Sequence, residues 1–275
     1  MKLAYQIATP EVKESWAVTA YQGPLEQSFK CLAEIGYDGA ELMVAIPEQI
    51  DGTIIKSLSE KYALPIAMIC TGEILGQEGL CFTLNDSKKR AQAIESVKAA
   101  IRLASELHCK YINVGRVRGG FSLNGNHTDE RNLSVAGLKE ISEYAHKYNV
   151  KVLLEPVNSI AATFINRTQE GIDLVNEINS PNFRLMLDSN HMYLDDPNMY
   201  DSLRMAKDYV EYVHLADSNR LYPGNCKLNF VKFLDVLYEQ SYSSWVSVEV
   251  FQRPDQETAV AQSFKYLHPL IRRYE

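Results

Sequence analysis

Apolar positions along the chain form short continuous runs, separated by longer stretches in which they recur every three or four residues. The short runs begin at Lys2–Ile7, Gly39–Val44, Leu64–Ile69, Tyr111–Val114, Lys151–Leu154, Arg184–Leu187, Tyr212–Leu215 and Val246–Val250. Being apolar on both faces, they read as parallel strands covered by helices. Helical spacing fills the intervals at Pro24–Ile35, Thr53–Tyr62, Asp86–Leu107, Asp129–Tyr148, Thr168–Ile178, Met199–Lys207, Asn229–Tyr238 and Glu257–Tyr274. Gly36 stands where a glycine commonly ends a helix, and Asn85 or Asp86 where a side chain caps the next long one. Eight strand–helix units in 275 residues, about 34 residues each, predict an α/β fold with a closed single (β/α)8 (TIM) barrel over residues 1–275. An open doubly wound sheet is the alternative. No G-x-G-x-x-G follows the first strand, so a dinucleotide-binding start has no support.

Four consecutive strands end in a side chain able to bind a metal. They are Leu153-Leu154-Glu155, Leu185-Met186-Leu187-Asp188, Tyr212-Val213-His214 and Ser247-Val248-Glu249, and the spacings of 33, 26 and 35 residues are each close to one unit. The C-terminal ends of barrel strands ring one pocket, so these four residues are expected to converge there. An acidic residue after a single strand is commonly a helix cap or an arginine partner. Three carboxylates crowded in an apolar pocket repel one another and resist burial unless a cation compensates. Three oxygen donors and an imidazole suit Mn²⁺, Co²⁺ or Mg²⁺, with Zn²⁺ also able to fit. Neither a Ser/His/Asp nor a Cys/His scheme has a comparable pattern, and no G-x-S-x-G elbow occurs.

Composition narrows the classes further. With 46% hydrophobic and 23% charged residues the chain is an ordinary globular one, and its net charge of −7 supplies no general attraction to nucleic acid or an anionic membrane. The apolar run Leu64–Cys70 is too short to span a bilayer. Met1–Ile7 reads as a strand without the cleavage site of a signal peptide, so a cytoplasmic protein is expected. The five cysteines are scattered and lack a C-x-x-C pair, which predicts free thiols.

The same segments resemble the xylose isomerase-like barrel superfamily of sugar isomerases and epimerases. Within it they look like the D-tagatose and D-psicose 3-epimerase group, most of all its 5-keto-L-gluconate epimerase branch. The resemblance rests on Leu154-Glu155-Pro156-Val157-Asn158, Leu187-Asp188-Ser189-Asn190-His191-Met192, His214-Leu215-Ala216-Asp217-Ser218-Asn219-Arg220 with Pro223-Gly224, and Val246-Ser247-Val248-Glu249. Pro65–Gly72 and the loop Gly115–Gly119 fit as well, so the likeness runs nearly end to end.

The resemblance implies an epimerase or isomerase with one divalent metal, Mn²⁺ foremost, held by Glu155, Asp188, His214 and Glu249. The metal would polarise a ketose or keto-sugar acid carbonyl and stabilise the enediolate that forms beside it. Glu155 and Glu249, on opposite faces of the sugar, would remove and return the proton. His191 and Arg220 would contact substrate oxygens. The bland readings are a core histidine and an Arg220–Asp217 ion pair. By analogy the protein would be a homodimer or homotetramer.

One departure stands out. The epimerase group carries E-P-x-N-R-x-E after the fifth strand, whereas this chain has Ser159 and Ala161 in place of the Arg and second Glu. The metal chemistry is expected to carry over, whereas the departure puts the usual ketohexose substrates in doubt. The loop Gly115-Arg116-Val117-Arg118-Gly119-Gly120 points to an anionic substrate, with Arg118 expected as the contact. Glu41 and Glu73 can line the pocket, cap a helix or pair with an arginine. His108, His127, His146 and His268 read as surface residues.

Three competing functions share the fold. A lyase, of the inosose dehydratase or C-glycoside-cleaving kind, would begin with the same proton removal but expel a β-group. A DNA-repair endonuclease would need further histidine ligands and a basic groove, against the charge of −7. A non-catalytic sugar-binding protein would have little use for four intact ligands.

Overall fold

The computed structural model describes residues 1–273. Eight parallel strands pair in chain order, and the eighth closes onto the first. In order, the elements are β1 (Lys2–Ala8), α1 (Leu25–Ile35), β2 (Gly39–Met43), α2 (Gly52–Tyr62), β3 (Ile66–Cys70), α3 (Gly72–Gly76), α4 (Ser87–Glu106), β4 (Tyr111–Val114) and α5 (His127–His146). They continue with β5 (Lys151–Leu154), α6 (Thr168–Ile178), β6 (Phe183–Asp188), α7 (Ser189–Asp195), α8 (Met199–Met205), β7 (Val210–Leu215), α9 (Phe230–Glu239), β8 (Trp245–Val248) and α10 (Gln256–Arg272). All eight expected strands are present, so the open-sheet alternative falls. Of the expected last helix, Tyr274 lies outside the described residues, as does Glu275 of the expected barrel span.

Side chains on a strand alternate between faces, so each strand divides its residues between two cores. Residues such as Ile7, Leu42, Leu185 and Val213 face the helices, in the large outer core. Ala4, Met68, Leu153, Met186 and Tyr212 point inward and fill the floor of the barrel. Two residues further along each strand, that same inward face reaches the C-terminal rim.

Local chemistry sets the helix limits. Gly36 ends α1 in the left-handed region at φ +106°, its N–H donating to the Leu32 carbonyl. Asp86 caps α4 through the Lys88 and Lys89 amides, as expected. Helix α5 starts two residues before the expected Asp129 because Asn126 accepts from the Thr128 and Asp129 amides. The sequence reading missed α7. Asp188 nucleates it by accepting from the amides of Asn190 and His191 at 2.7 and 3.1 Å. Among the described residues, no helix is long and apolar enough to cross a membrane. The five cysteines are free.

Candidate active site

Strand alternation delivers the four expected ligands to one place. Asp188 lies two residues beyond inward-facing Met186, and His214 two beyond Tyr212, and the two are register partners across β6 and β7. Glu155 and Glu249 directly follow β5 and β8. All four are buried, and each offers one ligand atom within 4.8 Å of the others. The Nδ1 atom of His214 lies 3.2 Å from Glu249 Oε2, 3.5 Å from Glu155 Oε1 and 3.8 Å from Asp188 Oδ2.

The charge balance around this point is unfavourable without a cation. Arg220 binds Asp188 Oδ2 at 2.8 Å and also binds Glu249 Oε2, yet Glu155 Oε1 and His214 Nδ1 are buried with no hydrogen-bond partner. Burial raises the Asp188 pKa despite Arg220. Burial has the same tendency at Glu249, but Arg220 and His214 outweigh it and hold that carboxyl far below the usual range. Burial disfavours charge on His214, but Glu41 and Glu249 overcome it and pull the imidazole toward the protonated form. Clustered carboxylates with bare donor atoms aimed at one another fit a single divalent cation. The four residues could bind one metal.

Three of the four, Glu155, His214 and Glu249, are held by neighbours from the other half of the barrel, while Asp188 is held within its own half by Arg220 and the Asn190 and His191 amides. Asn113 donates to Glu155 Oε2 at 3.0 Å while its own Oδ1 accepts from the Thr71 amide. Thr19 and Gln6 donate to Glu249 Oε1 at 3.2 and 3.4 Å. Glu41, fully buried, faces His214 Nε2 at 2.9 and 3.1 Å. It also accepts from Gln6 at 2.7 Å and from the Tyr212 hydroxyl at 2.8 Å. Burial and the adjacent Glu41 raise the Tyr212 pKa, so its hydroxyl stays a donor. Of the roles left open for Glu41, none was the support of a histidine. The signal was a carboxylate inside the buried apolar strand Gly39–Met43, where no solvent can satisfy it.

Glu155 and Glu249 line a cavity of about 330 Å³ together with His191, Arg220 and Arg116. Asn158 Oδ1 accepts from the Ile160 and Ala161 amides, which turns its Nδ2 onto His191 Nδ1 at 2.7 Å. The His191 hydrogen therefore sits on Nε2, 3.9 Å from Glu155 Oε1. Burial, aided by Arg220, pushes the His191 pKa down to about 3 and keeps the ring neutral. Arg220 does not form the side-chain pair considered with Asp217. That carboxylate instead accepts from the amides of Ser218, Gly224, Cys226 and Leu228.

The expectation for Arg118 is corrected. Its guanidinium is wholly buried behind the cavity and donates to the carbonyls of Gly115, Glu155, Phe164 and Ile165. Four backbone acceptors occupy the donors a substrate anion would need. Arg116 reaches the cavity instead, half-exposed and paired with Glu73 at 2.8 Å. In the departing segment, Ser159 is tied to Asp195 through its Oγ at 2.8 Å, and Ile160, Ala161 and Leu194 give the cavity an apolar wall.

The chain is similar to proteins of known activity. D-psicose 3-epimerase of Enterocloster bolteae is 26% identical over 235 residues, 80% of this chain and 74% of its own. L-ribulose 3-epimerase of Methylomonas sp. is 26% identical over 224 residues, covering 80% and 76%. The crystal structure of 3-keto-D-glucoside 4-epimerase from E. coli, in its apo form, superimposes with a TM-score of 0.83 at 20% identity, covering 98% and 99%. The homologues are thus named sugar epimerases. A family profile described as xylose isomerase-like TIM barrel matches residues 29–270, and the chain belongs to that family.

Proposed function

We propose that this chain is a divalent-metal-dependent sugar epimerase that moves a proton on the carbon beside a ketose or keto-sugar acid carbonyl, with Glu155 and Glu249 as its acid/base pair. The observation that carries the reading is the pair of carboxylates, one after β5 and one after β8. They approach His214 Nδ1 to 3.5 and 3.2 Å at the floor of a cavity large enough for a monosaccharide. Relatives named as sugar 3-epimerases and as a 4-epimerase support it.

Glu155, Asp188, His214 and Glu249 would hold the cation, with Mn²⁺ our first choice and Co²⁺, Mg²⁺ and Zn²⁺ compatible with the donors. When bound, it supplies Lewis-acid polarisation of the carbonyl and counter-charge worth several kcal/mol. The protein handles the proton. Glu249 is held ionised by Arg220 and His214, the protonation state from which a carboxylate can take a proton. Glu155 keeps Oε1 free toward the cavity because Asn113 engages Oε2. One carboxylate takes the proton from one face of the sugar and the other returns one to the opposite face, which inverts the carbon. Neutral His191 offers Nε2–H to a substrate oxygen, and Arg220 offers its guanidinium. Ala161 leaves the apolar wall without a hydrogen-bonding group, which favours substrates other than the common ketohexoses.

The test is Mn²⁺-loaded protein in D₂O with ketohexoses, ketopentoses and keto-sugar acids, following C–H exchange by NMR. Exchange in the wild type, lowered about 10²–10⁴-fold by Glu155→Gln or Glu249→Gln, is expected. The deuterated carbon identifies the centre inverted, and release of water would signal a lyase instead. Folded, metal-loaded protein that exchanges no substrate proton would overturn the reading.

A further inference from the structure

Glu41 is as deeply buried as any residue in the barrel and takes no place among the four ligands. It lies inside β2, register partner of Gln6 on β1, across the barrel from β7. Four hydrogen-bond contacts from three side chains converge on its two oxygens: Gln6, Tyr212 and both approaches of His214 Nε2. An imidazole has two nitrogens, and the partner of one decides what the other can do. In the neutral ring, the form that a cation requires, Nε2–H donating to Glu41 leaves the lone pair on Nδ1, and Nδ1 is the atom that faces Glu155, Asp188 and Glu249. Gln6 extends the arrangement, since its amide spans Glu41 Oε1 and Glu249 Oε1 at 2.7 and 3.4 Å.

We infer that Glu41 is the positioning residue of the metal centre, fixing His214 as an Nδ1 donor and, through Gln6, fixing the Glu249 carboxylate. The inference rests on the four-residue metal reading and is independent of which sugar is turned over. A purely structural Glu41 would satisfy Tyr212 and Gln6 with no consequence at Nδ1. A positioning Glu41 sets both the tautomer and the basicity of the ligand. Carboxylate partners of metal-bound histidines have this effect generally, and their loss weakens metal binding about 10–100-fold.

Glu41→Gln is nearly isosteric, removing the charge and turning one acceptor oxygen into an NH₂ donor, while Tyr212→Phe removes one donor to Glu41 and leaves the His214 contact. Calorimetric titration with Mn²⁺ is expected to show affinity about 10–100-fold weaker for Glu41→Gln and a smaller loss for Tyr212→Phe. In Zn²⁺-loaded wild type, nitrogen–proton NMR is expected to find the His214 proton on Nε2, protected from exchange, and that protection lost in Glu41→Gln. The Co²⁺ absorption bands are expected to shift in the same variant. Wild-type affinity in Glu41→Gln, with only a lowered melting temperature, overturns the inference. So does a His214 proton on Nδ1, or a wild type that binds none of these ions. If Glu41→Gln does not fold, the Tyr212→Phe affinity decides: weaker binding supports the inference and unchanged binding overturns it. Wild type that binds metal tightly yet exchanges no sugar proton would defeat the epimerase reading and leave these measurements standing.

Discussion

The two halves of the barrel share one alternation of strand and helix and divide the chemistry between them. The second half, β5 to β8, presents one side chain able to bind a metal per strand, Glu155, Asp188, His214 and Glu249. The first half presents Gln6, Asn113 and Glu41 toward the same point, and each bonds to a member of that set: Gln6 to Glu249, Asn113 to Glu155, Glu41 to His214. One half supplies the donors and the other aims three of them, Asp188 being held by Arg220 within its own half. Three carboxylates and an imidazole hold a cation only if their lone pairs converge, and lone pairs converge only if the remaining atoms are occupied elsewhere.

Arg118 ties the halves together, which offers the strongest way to break the comparison. It stands in the loop after β4 and donates to carbonyls of Glu155, Phe164 and Ile165 in the segment after β5, besides Gly115 in its own loop. Burial lowers its pKa to about 10, still well above neutrality, so it remains charged. Arg118→Met would leave several buried acceptors without donors, each costing about 1–3 kcal/mol. We expect a loss of about 4 kcal/mol or more by urea unfolding, with metal affinity falling alongside because the Glu155 backbone is released. An unfolding midpoint like that of wild type would show that the halves do not depend on this clamp.

The ligand half was the legible half. Parallel strands buried on both faces read as unbroken apolar runs, so a carboxylate or imidazole closing each run stands out, and barrel topology says where the run ends meet. The aiming half was obscure for the same reason. Gln6 and Glu41 sit within their runs, and what they touch depends on register and on residues some 170 positions away, as with Glu41 and Tyr212. Asp188 was legible as a candidate ligand and illegible as the cap of a seven-residue helix, too short for periodicity to register. In Arg116-Val117-Arg118 the spacing could not tell which arginine faces the cavity. The segment is a 3-10 turn, and its tight winding sends the two guanidinium groups in different directions.

A gentler break separates position from presence. Gly115 packs so closely on Glu155 that a Cβ there would come within 2.7 Å of Glu155 Oε2, the oxygen that Asn113 holds. Gly115→Ala leaves every ligand in the chain and displaces one of them. Because a displacement of about 1 Å in a catalytic group can cost 10²-fold, we expect substrate C–H exchange to fall by about that factor with the protein still folded. Full activity in Gly115→Ala would mean that Glu155 tolerates displacement and that aiming by the first half matters less than its hydrogen bonds suggest.

The smallest expected effect on stability sharpens the contrast between the loop's two arginines. Arg116 is half-exposed, and its guanidinium bonds to Glu73 and the Gly72 carbonyl through Nη2 at the cavity wall. Solvent screening makes such a pair worth less than about 1 kcal/mol, so Arg116→Gln should barely move the unfolding midpoint. Its consequence belongs to the substrate. If the keto-sugar acid half of our proposal holds, the positive charge at the wall attracts a carboxylate, and removing it raises KM for keto-sugar acids several-fold while leaving neutral ketoses unchanged. Salt should mimic the substitution for the acids alone, because the contact is partly open to solvent. An equal change for acids and neutral ketoses would remove Arg116 from recognition and restrict the substrate class to neutral sugars. The two arginines would then differ only in how deeply each is buried.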